Sequence, residues 1–304
     1  MKILYGADTT FIDVTNICLL QLTTNNVIKI PSSDHNRANY FTDPLYGILK
    51  KIIIINNNIS TEYDNLTEIR INLIDNTITT RHDNEINYAI QRIHSKLKIN
   101  HGSLNDELPE QKMAVRYLTG NEKVLEIGGN IGRNSLVIAS ILRDNANLVT
   151  LESDVNTAKL LEENRDLNNF KFHIESSALS NRKLIQQGWD TMPSDILKEG
   201  YSWVNTITID DLKSKYNIEF DTLVLDCEGA FYYILIDMPQ ILNNINLIIM
   251  ENDYLDISRK NDVDNILIQN NYVVDYTECG GWGCCYNKFF EVWKKLPVSS
   301  SSLI

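Results

Sequence analysis

The sequence predicts an α/β protein: a mostly parallel sheet ending in an antiparallel C-terminal hairpin, preceded by a small, mainly β N-terminal domain. Three observations predict it. From residue 121 onward, short apolar runs alternate with helical stretches, which is how parallel strands joined by right-handed crossovers read. Residues 1–80 instead carry short β-rich runs separated by turn residues. Between the two patterns, VLEIGGNIGRNS at 124–135 ends an apolar run in a carboxylate, follows it with a glycine cluster, and then opens a helix.

Bulk properties fit this class. The chain has 304 residues, 43% of them hydrophobic and 22% charged, ordinary for a globular protein and enough for two cores. The formal net charge of −12, with no lysine or arginine run, argues against nucleic acid as a partner, because a duplex needs a basic stripe. Cys18, Cys227, Cys279, Cys284 and Cys285 are too unevenly spread for a disulfide framework, so a reducing, cytoplasmic compartment is expected. The N-terminal MKILYGADTT has no signal-peptide pattern, and no apolar run approaches the length of a membrane span, so no membrane partner is expected.

In chain order, KILY at 2–5, VIKIP at 27–31, KKIIIIN at 50–56 and EIRINLI at 68–74 read as strands of the N-terminal domain. SSDHN, NNNIS and DPLYG read as turns, and a helix fits around Val14–Leu22. Residues 81–120 form a helical connector. Ile86, Ile90, Ile93 and Leu97 recur at helical spacing, and Pro109 with an acidic first turn marks a second helix start in NDELPEQKMAVRYL. The catalytic-type domain spans 121–297, with strands at 123–127, 147–152, 170–174, 221–226, 245–251, 271–276 and 287–293. Helices fill 133–143, 155–166 and 230–242. Residues 298–304, ending in SSSSLI, read as a flexible tail.

The glycine turn excludes two ligands by spacing. A dinucleotide fingerprint starting at Gly128 needs glycine where Asn130 and Arg133 stand, and a phosphate loop needs Gly-Lys-Ser/Thr where Gly132-Arg133-Asn134 stand. What remains is Glu126-x-Gly128-Gly129-Asn130-x-Gly132, with Glu152 ending the next strand, where a carboxylate grips both hydroxyls of a ribose. That is the pattern of a Rossmann-like class I S-adenosylmethionine methyltransferase. Gly128 and Gly132 would pass close to the methionine part, Glu126 would act on its ammonium end, and Glu152 would hold the ribose.

Residues 105–293 resemble the FkbM-type methyltransferases, O-methyltransferases acting largely on sugars and polyketide-like hydroxyls. VLEIGGNIG (124–132), VTLESD (149–154), SSALS (176–180), TITIDDL (206–212), LVLDCEGAFYYIL (223–235), LIIME (247–251) and NKFFEVWKK carry the resemblance, and Asp226-Cys227-Glu228-Gly229 is its most specific element. Three positions depart from it. The family often has aspartate for Glu126, glutamate-proline for Glu152-Ser153, and a lysine where Val224 stands. Residues 1–80 resemble leader domains attached to such enzymes in large DNA viruses, which implies a viral protein in host cytoplasm. The resemblance implies a sugar or glycan substrate and a partner glycosyltransferase, with the N-terminal domain binding glycan or forming a homo-oligomer. Two alternatives stay open: a non-catalytic glycan-binding or structural module that retains the fold, and a methyltransferase for another small-molecule hydroxyl.

Methyl transfer needs an aimed hydroxyl oxygen and a base. Asp226 and Glu228 follow one strand, and Glu251, Asn252 and Asp253 follow the next, so adjacent strand ends bring them to one edge of the cofactor pocket. Asp226, Glu228 and Glu251 are therefore the catalytic candidates. The cofactor-binding candidates are Glu126, Gly128, Gly129, Asn130, Gly132, Glu152, Ser153, Ser176, Ser177 and Asp226, with Ser176 and Ser177 at the adenine edge. Asp226, Glu251 and Asn252 resemble in position the ligand set of the magnesium-dependent catechol-type enzymes, so Mg2+ or Mn2+ is a further candidate. His173 reads as a packed strand residue, and His94 and His101 lie near the start of the catalytic domain. ECGGWGCCYN at 278–287 is poor for zinc, because Cys284 and Cys285 are adjacent, and reads better as a glycine-rich loop. Trp189, Trp203 and Trp282 are candidate sugar-stacking residues.

Overall fold

The structure is a computed structural model and describes residues 1–57, 59–188 and 190–297. The expected tail at 298–304 and the candidate Trp189 lie outside the described residues.

The N-terminal part is built from two antiparallel four-stranded sheets. One runs in the order Thr10–Asp13, Lys2–Ala7, Lys51–Asn56, Ile59–Tyr63, and the other Thr23–Thr24, Val27–Ile30, Thr67–Asn72, Ile78–His82. Their alternating patterns point Ile3, Tyr5, Ile52 and Ile54 from the first sheet, and Ile28, Ile30, Ile69 and Ile71 from the second, into one shared core. The expected helix near Val14–Leu22 forms at Thr15–Gln21. A second helix, Asp34–Phe41, replaces part of the turn expected at SSDHN, because Ser33 accepts from the Asn36 N–H and so caps a new helix start. From that helix Arg37 is fully buried, and its guanidinium donates to the carbonyls of Pro31, Asp64 and Thr67.

Helix Asp83–His94 leads to α1 (Leu108–Tyr117), and the main domain follows. Its strands are β1 (Val124–Ile127), β2 (Leu148–Leu151), β3 (His173–Glu175), β4 (Thr222–Leu225), β5 (Leu247–Glu251), β6 (Tyr272–Glu278) and β7 (Phe290–Lys295). They form one seven-stranded sheet in the order β3-β2-β1-β4-β5-β7-β6. The first five are parallel, and β7 runs antiparallel between β5 and β6. β1, β2 and β4 are buried at every position, which is why their sequences are continuous apolar runs rather than alternating ones.

Helices α2 (Arg133–Ile141), α3 (Val155–Leu167), α4 (Ile209–Tyr216), α5 (Phe231–Asp237) and α6 (Ile257–Gln269) surround the sheet. Asp154 caps α3 by accepting from Thr157 N–H at 2.7 Å, and Asp256 caps α6 by accepting from Ser258 N–H at 2.9 Å. The sequence predicts no helix at α6 or α4, whose apolar periodicity is diluted by Asp, Asn and Lys. The region 181–205 folds as a small antiparallel sheet of Leu184–Gln187, Asp190–Pro193 and Ser202–Val204.

The two parts meet at a charged junction. Asp275 on β6 receives Lys29 at 2.9 Å, Arg70 at 3.1 Å and Lys294 at 3.4 Å, and the Tyr117 hydroxyl donates to it at 2.9 Å. Arg116 at the end of α1 bridges Glu68 at 2.7 Å and Asp83 at 2.8 Å. Helix Asp34–Phe41 also holds the loop between β6 and β7, through Asn36 to the Cys279 N–H at 3.1 Å and His35 to the Tyr286 hydroxyl at 2.9 Å.

Candidate active site

The strand order turns back at β1: β2 and β3 lie to one side of it, β4 and β5 to the other. Open parallel sheets bind ligands in the crevice beyond the carboxyl ends of the strands at such a reversal. The glycine turn 128–132 occupies that place. It lies flat on the neighbouring strand ends, with the Gly128 and Gly129 N–H groups donating to the Leu151 carbonyl at 3.1 and 2.8 Å. Gly128 has φ +94°, and a Cβ there would sit 1.5 Å from the Asp226 carbonyl oxygen. A Cβ on Gly129 would sit 2.3 Å from Thr150 Oγ1. Both glycines are therefore required by the close approach of the turn to β4 and β2. Gly132, at φ +91°, precedes α2 with no side-chain cap, which leaves the first N–H groups of that helix open toward the crevice.

Glu152 ends β2 beneath the turn. One carboxylate oxygen accepts from the Asn130 N–H at 2.9 Å and the other from the Asp154 N–H at 2.8 Å. Each oxygen keeps a lone pair. Burial pushes the carboxyl pKa up, opposed by these backbone donors. Ser153 beside it is half-buried. Glu126 is more deeply placed: it is only 2% exposed, accepts from Ser135 Oγ on α2, and has its pKa pushed up to about 7 by burial. Its carboxyl supports the turn from behind, so any influence on a ligand passes through the loop.

The acids expected at one edge do converge. Asp226 and Glu228 follow β4, Glu251 is the last residue of β5, and Asp253 follows it. Burial, then Glu107, Glu110 and Glu228, raise the Asp226 carboxyl well above its usual range. Burial and the Glu110 carboxyl raise Glu251. Glu228 is exposed, and partial desolvation together with the Asp253 carboxyl pushes its pKa up to about 8. Glu107 and Glu110, from the start of α1, were not read as site residues. Their only sequence signal is the acid-rich NDELPEQ segment, which a helix N-terminus explains equally well. Glu107 pairs with Arg133. Glu110 is 7% exposed, and its Oε2 has no hydrogen-bond partner. Three residues of this rim, Glu107, Asn130 and Glu228, hold left-handed backbone at φ +57°, +47° and +51°. Asparagine adopts this conformation readily, whereas for the two glutamates it costs about 1 kcal/mol or more.

Of the expected metal set, Asn252 is divided: its Nδ2 is committed toward β7, while its Oδ1 is buried without a partner. Asn252 is fully buried and turned to the opposite face from Glu251, as alternation along a strand end requires. Its Nδ2 donates to the Lys288 carbonyl at 2.6 Å and to Glu291 at 2.9 Å, and Glu291 is itself held by Lys260 at 2.7 Å. Among the described residues, no three His, Cys, Asp or Glu side chains are grouped to hold a metal ion. Ser177 donates to Glu175 at 3.0 Å and is committed there, whereas the Ser176 hydroxyl is buried without a partner. Val224 is buried within β4, where its register partner is Glu126.

His173 is half-buried at the start of β3, with its ring 4.6 Å from that of Tyr216. His94 bonds to Gln111 at 2.7 Å and His101 to Glu163 at 2.6 Å, so neither is free to serve the crevice. Cys284 and Cys285 are thiols with sulfurs 3.9 Å apart, in the loop beside Tyr254. Trp203 and Trp282 are about half exposed, at 49% and 50%. No helix among the described residues is long and apolar enough to cross a membrane.

No family model matches the chain, and no curated protein matches it in sequence. Among solved structures, it is similar to a ribosomal protein L11 methylase from Lactobacillus delbrueckii subsp. bulgaricus, with 12% identity over 62% of this chain and 78% of that one and a TM-score of 0.40. It is similar to an O-methyltransferase from Bacillus cereus in complex with SAH, with 14% identity over 70% and 90% of the two chains and a TM-score of 0.39. A third similar structure is an rRNA methylase from Streptococcus thermophilus, with 11% identity over 62% and 94% and a TM-score of 0.40.

Proposed function

We propose that the chain is an S-adenosylmethionine-dependent O-methyltransferase whose acceptor is a sugar hydroxyl, in a glycan or a nucleotide sugar. The observation that carries the reading is Glu152. It stands one strand from the glycine turn, at the reversal of the sheet, and each carboxylate oxygen is fixed by one backbone N–H with a lone pair to spare. That geometry suits two adjacent hydroxyl donors, as on a ribose. The unpartnered Ser176 hydroxyl beyond β3 suits the base, and the open N–H groups of α2 suit a carboxylate. The narrowing to sugar hydroxyls comes from the FkbM-type resemblance of residues 105–293.

When bound, S-adenosylmethionine supplies a methyl group on a sulfonium, which passes to the acceptor oxygen while the C–S electron pair stays on sulfur and the hydroxyl proton leaves. The chain's part is to aim that hydroxyl and take its proton. Asp226, Glu228 and Glu251 sit where the acceptor would meet the crevice. Glu228, with a pKa near 8, is matched to accept a proton near neutral pH. The Asn252 Nδ2 is held by the Lys288 carbonyl and Glu291, and no step of this reading is routed through a metal.

The test is calorimetric titration of the folded protein with S-adenosylhomocysteine, beside Glu152→Ala. Wild type should bind, and the variant should bind at least about a hundredfold more weakly, as expected when a bidentate charged contact worth about 3 kcal/mol is lost. A folded wild type that binds neither S-adenosylhomocysteine nor S-adenosylmethionine overturns the assignment.

A further inference from the structure

Two sheet edges face each other at the junction without pairing. β6 is the outermost strand of the main sheet, and Thr23–Thr24 is the outermost strand of the second N-terminal sheet. A cavity of about 130 Å3 lies between them, with Gln21, Thr24 and Tyr40 on one side and Thr277 on the other. A single water needs about 10–15 Å3 of such space, so the room suits a small ligand rather than one isolated water. Gln21 is exposed, so the cavity reaches the surface. It stands apart from the crevice at the reversal beside β1, with β4, β5 and β7 between them.

The walls decide what kind of ligand fits. Their charged groups are already matched within the chain. Lys29 holds Asp275 at 2.9 Å, and Arg70 and Arg116 each hold Glu68 at 2.7 Å. An ionic ligand would compete with these pairs. The groups left over are neutral. Among the described residues, the side-chain amide of Gln21 and the hydroxyls of Thr24, Tyr40 and Thr277 find no hydrogen-bond partner within the protein. Each of the four can both donate and accept. β6 also carries a bulge between Val274 and Tyr276 at this wall, and a bulge at a sheet edge re-aims side chains and leaves backbone groups unpaired. Leu22, Pro31 and the Tyr40 ring give the same space an apolar side. Neutral donors and acceptors interleaved with apolar surface match a compact polyol, whose hydroxyls radiate from a ring with C–H faces. A lipid chain would leave the wall hydroxyls without partners.

We propose that this cavity binds a neutral polyhydroxyl ring of monosaccharide size, a sugar residue or a cyclitol, clasped between the N-terminal part and β6. The ligand there is held and not methylated, so the proposal goes beyond the methyltransferase reading and does not rest on it. Because the walls come from both parts of the chain, an occupied cavity also ties the junction together.

The test titrates the full chain by calorimetry with methyl glucoside, methyl galactoside, N-acetylglucosamine and myo-inositol as neutral probes, and with glucuronate and glucosamine as charged counterparts. At least one neutral probe should bind, and neither charged probe should bind more tightly. The order of the sugars and the inositol tells the two sources apart. Tyr40→Phe and Thr277→Val each delete one hydroxyl at nearly constant shape, and each should weaken binding about fivefold, the share of one neutral hydrogen bond. Thermal melting without probe checks that both variants fold. With probe, the Tm of wild type should rise by more than that of either variant, since the ligand stabilises only what it binds. Glu228→Gln, in the crevice, should leave the affinity within about twofold of wild type. Three results overturn the proposal: a wild type that binds none of the neutral probes, Tyr40→Phe and Thr277→Val that both bind as wild type does, or an affinity lost in Glu228→Gln, which would put the ligand in the crevice.

Discussion

The two ends of α1 hold the same residue types in opposite electrostatic states. At its C-terminal end, Arg116 and Tyr117 enter the junction, where Asp275, Glu68 and Asp83 are met by Lys29, Arg70, Arg116 and Lys294. At its N-terminal end, Glu110 enters a group of acids in which, among the described residues, only Glu107 has a cation, Arg133. Burial alone would raise the Asp275 carboxyl, yet Arg70 and Lys29 hold it well below its usual range. Burial raises Asp226 and Glu251, and their neighbours raise them further. The contrast separates architecture from function within one chain. Paired acids lock the two parts of the molecule together. Unpaired acids, in the proposed function, store unfavourable energy that a ligand in the crevice would relieve.

The largest expected effect comes from breaking the paired end. Asp275→Ala leaves Lys29 and Arg70 facing each other without their shared anion and removes the acceptor of the Tyr117 hydroxyl. The loss should be about 3 kcal/mol or more, the range for removing one partner of a buried charge network. Urea unfolding of the full chain measures it. A loss under about 1 kcal/mol would mean that the junction is worth no more than a surface ion pair.

The unpaired end should respond with the opposite sign. Glu251→Gln replaces a half-buried carboxyl whose pKa its acidic neighbours raise, and the apo protein should gain about 1 kcal/mol at pH 7.5 while losing activity. Linkage gives the pH dependence. A carboxyl whose pKa is raised on folding keeps its proton in the native state after the unfolded chain has released it. The unfolded state then binds fewer protons, and stability falls as pH rises. Glu228, raised from 4.5 to about 8, places that fall between about pH 4.5 and pH 8. Asp275 has the reverse sign: its stabilisation is present above its ordinary value of 3.8 and is lost as pH drops below it. Stability of the apo protein should therefore peak near pH 5 and decline toward pH 8, less steeply in Glu251→Gln. Urea melts across this range give the slopes, and a wild-type curve that rises from pH 5 to pH 8 would contradict the account.

This asymmetry also explains what was legible in the sequence. β1, β2, β4 and β5 are continuous apolar runs, and their length and the helical stretches between them identify them without any tertiary information. The glycine turn and Glu152 were legible because their spacing is local. Glu110 was not, because Glu110 and Glu251 lie far apart in sequence and meet only when α1 packs across the sheet. The surroundings of Asn252 were hidden for a similar reason. The sequence puts it beside Glu251, but alternation turns it toward β7, where Lys288 and Glu291 hold it. The small sheet at 184–204 and helix Asp34–Phe41 were hidden by polar, turn-like composition that a capping serine and local pairing overrode.

The smallest expected effect tests whether the junction is one network or a sum of pairs. Lys294 also faces Asp275, at 3.4 Å, but its side chain is 45% exposed, whereas that of Lys29 is 20% exposed. Water and salt screen the exposed arm, so Lys294→Met should cost less than about 1 kcal/mol even though the same carboxylate is involved. The methionine keeps most of the stem that crosses the Tyr117 ring, which limits the change to the charge. Lys29→Met removes a less exposed arm that also donates to the Val274 carbonyl, and it should cost more. If the two variants cost the same, exposure is not what sets the strength of each arm. The four cations would then act as one cooperative cage around the acids, and the sharp division between the two ends of α1 would rest on charge count rather than on burial.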